Sequence, residues 1–264
     1  MNTAHAFRAL HADGLFVMPN AWDPGSARIL ESLGFPAVAT TSSGHAASLG
    51  RLDQQVSRDE MLSHAETIAD AVEVPVSVDS EGCFPDAPGG IARTVELIAQ
   101  TGAAGLSLED YHPERGVLPI AEAVERVGQA VEVARRSGLV LTARAENQLY
   151  GHGDLDDTVR RLVAYREAGA DVVYAPGLVD VGDIERVVRE VGGPVNVLVL
   201  PGVPDSSRLA AVGVRRVSTG GALAWAAYGA LAAAGRELLQ DGSASYLSAG
   251  LSPDDTKAAF GPRR

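Results

Sequence analysis

Val74-Pro75-Val76-Ser77-Val78-Asp79-Ser80-Glu81-Gly82 joins an apolar, β-branched run to two acids two residues apart. Such a run reads as a buried strand, and side chains on a strand alternate with period two, so Asp79 and Glu81 point to the same side. Like charges at a buried strand end repel and are costly to desolvate. A divalent cation with oxygen ligands removes that cost. Taken alone, the pair also reads as two solvated acids opening a loop.

Working outward, the same kind of run recurs at 15–18, 37–41, 105–109, 140–145, 172–175, 195–200 and 215–219. Between the runs lie apolar residues at helical spacing, such as Thr94-Val95-Leu97-Ile98 and Val159-Leu162-Val163-Tyr165. A β-α unit of about 30 residues implies parallel strands with crossover helices. Eight units predict an α/β fold, a (β/α)8 TIM-type barrel, with an open doubly wound sheet as the alternative. No low-complexity linker interrupts the chain, so residues 1–264 read as a single barrel domain. Residues 235–264, beyond the eighth unit, read as a C-terminal helical arm that packs on a neighbouring subunit or frays.

Composition narrows the function. The 264 residues are 46% hydrophobic and 21% charged, enough for one large core. A net charge of −12 argues against a nucleic-acid partner but not against a small anionic substrate, because a local metal inverts the field. No apolar run is long enough to span a membrane. One cysteine, Cys83, excludes an intrachain disulfide, and the N-terminus shows no secretory signal, so a cytoplasmic location is expected.

In a parallel barrel, chemistry gathers at the C-terminal strand ends. Those ends carry Thr41-Ser42-Ser43-Gly44-His45, Asp79-Ser80-Glu81, Glu109-Asp110 and Arg144-Ala145-Glu146. The last three lie on adjacent strands, so several carboxylates and one arginine meet on one rim. Oxygen-only ligands favour Mg²⁺ or Mn²⁺. The small-residue turn Thr41–Gly44 offers hydroxyls and N–H groups to a carboxylate or phosphate, or simply bonds to itself. A guanidinium at a buried strand end, Arg144, needs an anion, either Glu146, Glu109 or a substrate carboxylate. Lys257 in the tail is the only lysine, which argues against a Schiff-base aldolase. No P-loop or dinucleotide fingerprint is present, and the six histidines lack zinc spacing. His45 and His112 are expected in loops above the rim, and Cys83 as a packed thiol.

At these residues the chain resembles the isocitrate lyase/phosphoenolpyruvate mutase family over nearly its whole length. Pro19-Asn20-Ala21-Trp22-Asp23-Pro24-Gly25-Ser26-Ala27-Arg28 is similar to the family's first barrel loop and helix, which places Trp22 among the expected substrate contacts. Ser48-Leu49-Gly50-Arg51-Leu52-Asp53, Asp79-Ser80-Glu81, Leu108-Glu109-Asp110 and Thr142-Ala143-Arg144-Ala145-Glu146 follow its further motifs in order. The resemblance implies Mg²⁺ held directly by Asp79 and partly through water by Glu81, Glu109 and Asp53. It implies a small anionic 2-oxo or 2-hydroxy acid that also meets Thr41, Ser42, Ser43, Gly44 and Arg144. It implies an enolate made by breaking a C–C or P–C bond, and a homodimer or homotetramer, often with a swapped C-terminal helix.

The chain departs from the family at two places. The loop Tyr111-His112-Pro113-Glu114-Arg115-Gly116-Val117-Leu118-Pro119 lacks the lyases' lysine-and-cysteine motif and the mutases' lysine and asparagine. Cys83-Phe84-Pro85 replaces a segment with two glycines. The expected activity is a Mg²⁺-dependent lyase acting on a C–C bond, with His112, Tyr111 or His45 as acid/base. Alternatives are P–C chemistry on a phosphonopyruvate-like substrate and a barrel that binds without turnover. A phosphosugar site built from Pro201-Gly202-Val203 and Ser218-Thr219-Gly220-Gly221 would leave the rim acids unexplained.

Overall fold

The structure, a computed structural model, describes residues 3–152 and 154–262. In chain order the strands of the main sheet are β1 (Phe16–Met18), β2 (Asn20–Ala21), β3 (Val38–Thr40), β4 (Val76–Asp79) and β5 (Gly105–Glu109). A short antiparallel hairpin follows, β6 (Tyr111–His112) and β7 (Gly116–Val117). The sheet then continues with β8 (Val140–Arg144), β9 (Val172–Tyr174), β10 (Val195–Leu198) and β11 (Arg216–Ser218). The helices are α1 (Thr3–Leu10), α2 (Pro24–Ser32), α3 (Ser42–Ser48), α4 (Arg58–Ala71), α5 (Gly90–Gln100) and α6 (Ile120–Ser137). They continue as α7 (Leu155–Glu167), α8 (Val181–Val191), α9 (Ser206–Ala211), α10 (Ala222–Gln240) and α11 (Pro253–Phe260).

Pro19 explains how the sheet closes. Before it, β1 pairs in parallel with β11; after it, β2 pairs in parallel with β3. Proline has no N–H for a ladder, so one stave changes partners there. The hydrogen-bonded order therefore begins with β1 and ends with β2, two halves of a single stave. The result is an eight-stave TIM-type barrel, with β-α units placed as the sequence pattern predicts.

The barrel bottom is sealed by α1. Phe7 is fully buried against Phe16, Met18, Ala104, Val140 and Val172. Gly105 makes this approach possible, since a Cβ there would lie 2.6 Å from the Val140 carbonyl and 2.8 Å from the Phe7 ring. Between strands and outer helices lies a continuous core that includes Val78, Leu106, Leu141, Ile98 and Leu162. Helix starts follow local chemistry: Asp23 and Ser57 form capping boxes with Ser26 and Glu60 at α2 and α4.

Residue 235, where the sequence reading begins the arm, lies inside α10. Beyond α10 the chain folds back, and α11 packs on α2 of its own barrel, with Arg28 donating to the Gly261 carbonyl at 2.8 Å. No described helix is long and apolar enough to cross a membrane.

Candidate active site

The C-terminal strand ends open into a cavity of about 170 Å³ lined by Thr41, Ser42, Ser43, Asp53, Asp79 and Arg144 among others. Its centre is Arg144, at the end of β8. The guanidinium lies 2.7 Å from Glu146 Oε1, 2.9 Å from Asp79 Oδ1 and 3.3 Å from Glu109 Oε2. It also lies over the Tyr174 ring, 5.3 Å from its centroid. These anions hold the guanidinium well above its ordinary pKa although burial works against its charge. Of the alternatives the sequence left open for Arg144, the structure shows both Glu146 and Glu109 as partners and adds Asp79.

Asp79 is positioned from three neighbouring elements. Its N–H donates to Thr40 Oγ1 at 2.8 Å, and its carboxylate accepts from Ser42 N–H at 3.0 Å and Ser107 Oγ at 3.2 Å. Ser42 opens α3, so the positive end of that helix faces the carboxylate. Thr41 is the helix cap, its Oγ1 accepting from Gly44 N–H at 3.4 Å. The turn expected at 41–44 is therefore a helix start, and the Ser42 N–H is engaged by the protein itself. Gly44 is buried where a Cβ would meet Thr41 and Trp22 at under 3 Å.

Burial pushes the Glu81 carboxyl up to about 8, helped by the charges of Asp79 and Asp53 and opposed by Arg144. Burial likewise holds Glu109 well above the carboxylate range against the pull of Arg144, and it raises Glu146. Asp53, at the outer edge of the rim, is raised by the atoms hemming it in and by Asp79. Three acids thus contact one arginine while Asp53 and Glu81 feel its charge, and Glu146 Oε2 is buried with no hydrogen-bond partner. This excess of crowded oxygen donors fits a hard dication. Among the described residues no three acid, histidine or cysteine side chains converge on one point.

The other predicted site residues lie around this centre. Tyr111 and His112, in the β6–β7 hairpin, line a neighbouring cavity of about 570 Å³ that Glu81 also borders. Tyr111 stacks on Tyr150 with ring centroids 4.0 Å apart, and His112 Nε2 is 3.6 Å from Asp86. His45 is on α3 rather than in a loop, because Thr41 starts the helix early. Its ring stacks on His64 at 3.7 Å, away from the central cavity, and neither ring nitrogen has a partner. Trp22 also stands behind the cavity wall, its carbonyl accepting from His64 Nε2–H at 3.0 Å. Asp110, next to Glu109 in sequence, faces the opposite way. It accepts from Tyr165 at 2.6 Å, Arg161 at 2.8 Å and Glu146 N–H at 2.8 Å, which fixes the segment after β8.

Several cavity residues were not singled out from the sequence: Ser107, Tyr174, Asn196 and Arg216. Period-two alternation within each strand was the available signal, since 142 and 144, or 216 and 218, share the inward side. Cys83 is a fully buried thiol pushed up to about 12 by burial. Cys83 and Phe84 adopt φ of 60° and 49°, so this turn follows a left-handed path with side chains that disfavour it.

A parallel barrel with an acid-rich, arginine-centred pocket at the carboxyl ends of its strands is an enzyme architecture of the lyase and mutase type. Residues 7–239 match the family model described as phosphoenolpyruvate phosphomutase, and the chain belongs to that family, within the isocitrate lyase/phosphoenolpyruvate mutase superfamily. It is similar to a Burkholderia cenocepacia J2315 protein provisionally described as a lyase/mutase, with 47% identity, 98% and 96% of the two chains covered and a TM-score of 0.94. It is 30% identical to an oxaloacetate decarboxylase of Chromohalobacter salexigens, over 84% of this chain and 80% of that one. The structure of 2,3-dimethylmalate lyase matches with 27% identity, 98% and 95% coverage and a TM-score of 0.84.

Proposed function

We propose that the protein is a Mg²⁺-dependent carbon–carbon lyase that cleaves the bond beside the carbonyl or hydroxyl of a small 2-oxo or 2-hydroxy carboxylate. The observation that carries this reading is Arg144, buried at the cavity centre among Asp79, Glu109 and Glu146. Similarity to an oxaloacetate decarboxylase and a 2,3-dimethylmalate lyase supports a carboxylic-acid substrate. Asp79 would hold the metal, with Glu81, Glu109 and Asp53 contributing partly through water. When bound, Mg²⁺ supplies Lewis-acid charge to the substrate's oxygens.

The remaining roles fall to the chain itself. The Thr41 and Ser43 hydroxyls at the start of α3 orient the substrate carboxylate. Arg144 stabilises the oxygen on which negative charge develops as the bonding pair moves into an enolate. The leaving fragment departs as CO₂ from a 2-oxo acid, or as an oxo acid from a 2-hydroxy acid whose hydroxyl gives up its proton as the carbonyl forms, and a proton is returned to the enolate carbon. Tyr111 or His112 on the hairpin would deliver it, whereas His45, on α3, stacks on His64 away from the cavity. A cytoplasmic location and assembly into a homodimer or homotetramer belong to the same reading. Exposed Trp225, Leu231 and Leu239 on α10 support the assembly.

Pyruvate or glyoxylate release from a panel of 2-oxo and 2-hydroxy di- and tricarboxylates with Mg²⁺ is the expected result. Phosphate release from phosphonopyruvate would favour P–C chemistry instead. That reading lacks a lysine near the cavity, as Lys257 lies on α11.

A further inference from the structure

A second arginine, Arg216, lines the same cavity from below and is 3% exposed. Its partners are all neutral: Asn196 Oδ1 at 2.8 Å, Thr142 Oγ1 at 2.9 Å and His11 Nε2 at 3.2 Å. Three of its five N–H groups are thereby used and two are left over. No carboxylate lies within ion-pair distance of it among the described residues. His11 donates from Nδ1 to the Phe7 carbonyl at 2.8 Å, so its Nε2 accepts and the ring is neutral. A buried cation without an anion is costly, and a neutral side chain would link these strands with less penalty. Arg144 shows the contrast, since three carboxylates contact it.

Position adds meaning to the missing anion. Thr142 and Arg144 are successive inward residues of β8, and Arg216 touches Thr142. Arg216 therefore sits one inward layer beneath Arg144, roughly 7 Å along the strand. Tyr174 walls the cavity between them, and Asn196 and Ser218 line its lower part. Acids occupy only the rim of this cavity, while its floor carries unmatched positive charge. That layer spacing is of the same order as the length of a four-carbon dicarboxylate.

We propose that Arg216 forms a distal-carboxylate subsite, so that the enzyme selects dicarboxylic 2-oxo or 2-hydroxy acids over their monocarboxylic counterparts. This rests on the proposed function, because the proximal end of the substrate is the one placed at Arg144. Arg216 contributes binding and specificity, while the bond-breaking groups remain at the rim.

The test compares malate with lactate, two 2-hydroxy acids that differ in the distal carboxylate, and uses oxalate as a rim-only probe. Calorimetry is run with Mg²⁺ on the full chain. Wild type is expected to prefer malate over lactate by about tenfold or more. Arg216→Gln is expected to remove most of that preference while oxalate affinity stays within about threefold, and Arg216→Lys to restore part of it. The proposal is overturned if wild type shows no preference, if Arg216→Gln retains it, or if malate and oxalate weaken in parallel with a fall in Tm. Should Arg216→Gln fail to fold, the wild-type preference and the Arg216→Lys variant decide. Loss of oxalate binding by wild type itself would instead overturn the reading of the rim, a distinguishable result.

Discussion

Arg144 Nη1 lies 2.9 Å from Asp79 Oδ1, joining β8 to β4 across the intervening strand β5. The contact brings the proposed metal carboxylate and the proposed oxyanion-stabilising cation into one hydrogen-bonded unit. Asp79 is in turn held by Ser42 N–H and Ser107 Oγ.

Replacing Arg144 by Lys keeps the charge but loses the planar fork that serves three carboxylates. Oxalate, an enolate mimic, should bind Arg144→Lys at least about tenfold more weakly in calorimetry. Equal affinity would assign Arg144 to structural pairing alone.

Asp79→Asn keeps the shape of the side chain and removes its charge. Mg²⁺ affinity should fall by about tenfold or more, and turnover should fall with it. Unchanged affinity in a Mg²⁺ titration would show that the ion is held elsewhere.

Much of this site was legible from residue order. Asp79, Glu109 and Arg144 end consecutive strands, and period-two alternation places them on one side. Arg216 was not singled out, because its importance lies in having no acid nearby, and only packing shows that. His45 was misplaced because Thr41 is both the end of a strand and a helix cap, so α3 begins where a loop was expected. The close packing of Gly44 on Thr41 and Trp22 likewise has no signature in residue order. The partner switch at Pro19 depends on barrel closure and has no local signature beyond the proline.

Two buried histidines contribute to the acid side of the stability profile. Burial and the charge of Arg216 lower His11 to about 3, and burial and His45 lower His64 to about 4. Both are neutral in the folded state and bind protons more readily when unfolded. Their contribution is therefore present above pH 6.5 and is lost as pH falls toward about 4 for His64 and about 3 for His11, at up to about 1.4 kcal/mol per pH unit for each. Tm measured from pH 7 to pH 5 should decline less steeply in His11→Gln than in wild type. Parallel profiles would contradict the assignment.

Tyr165 donates to the buried Asp110 carboxylate at 2.6 Å, and Asp110 holds the Glu146 N–H. Tyr165→Phe should lower unfolding stability by about 1–3 kcal/mol, through a lost hydrogen bond to a charged group. Denaturant titration measures it directly. A stability equal to wild type would mean that Asp110 is satisfied without Tyr165.

The most direct test of the central claim is oxalate binding with Mg²⁺ present and after its removal by a chelator. A metal and Arg144 that act on one substrate predict tight binding with Mg²⁺, a loss of about a hundredfold or more on chelation, and recovery when Mg²⁺ is restored. Oxalate affinity that is the same in both conditions would contradict a Mg²⁺-dependent enolate site at Asp79 and Arg144.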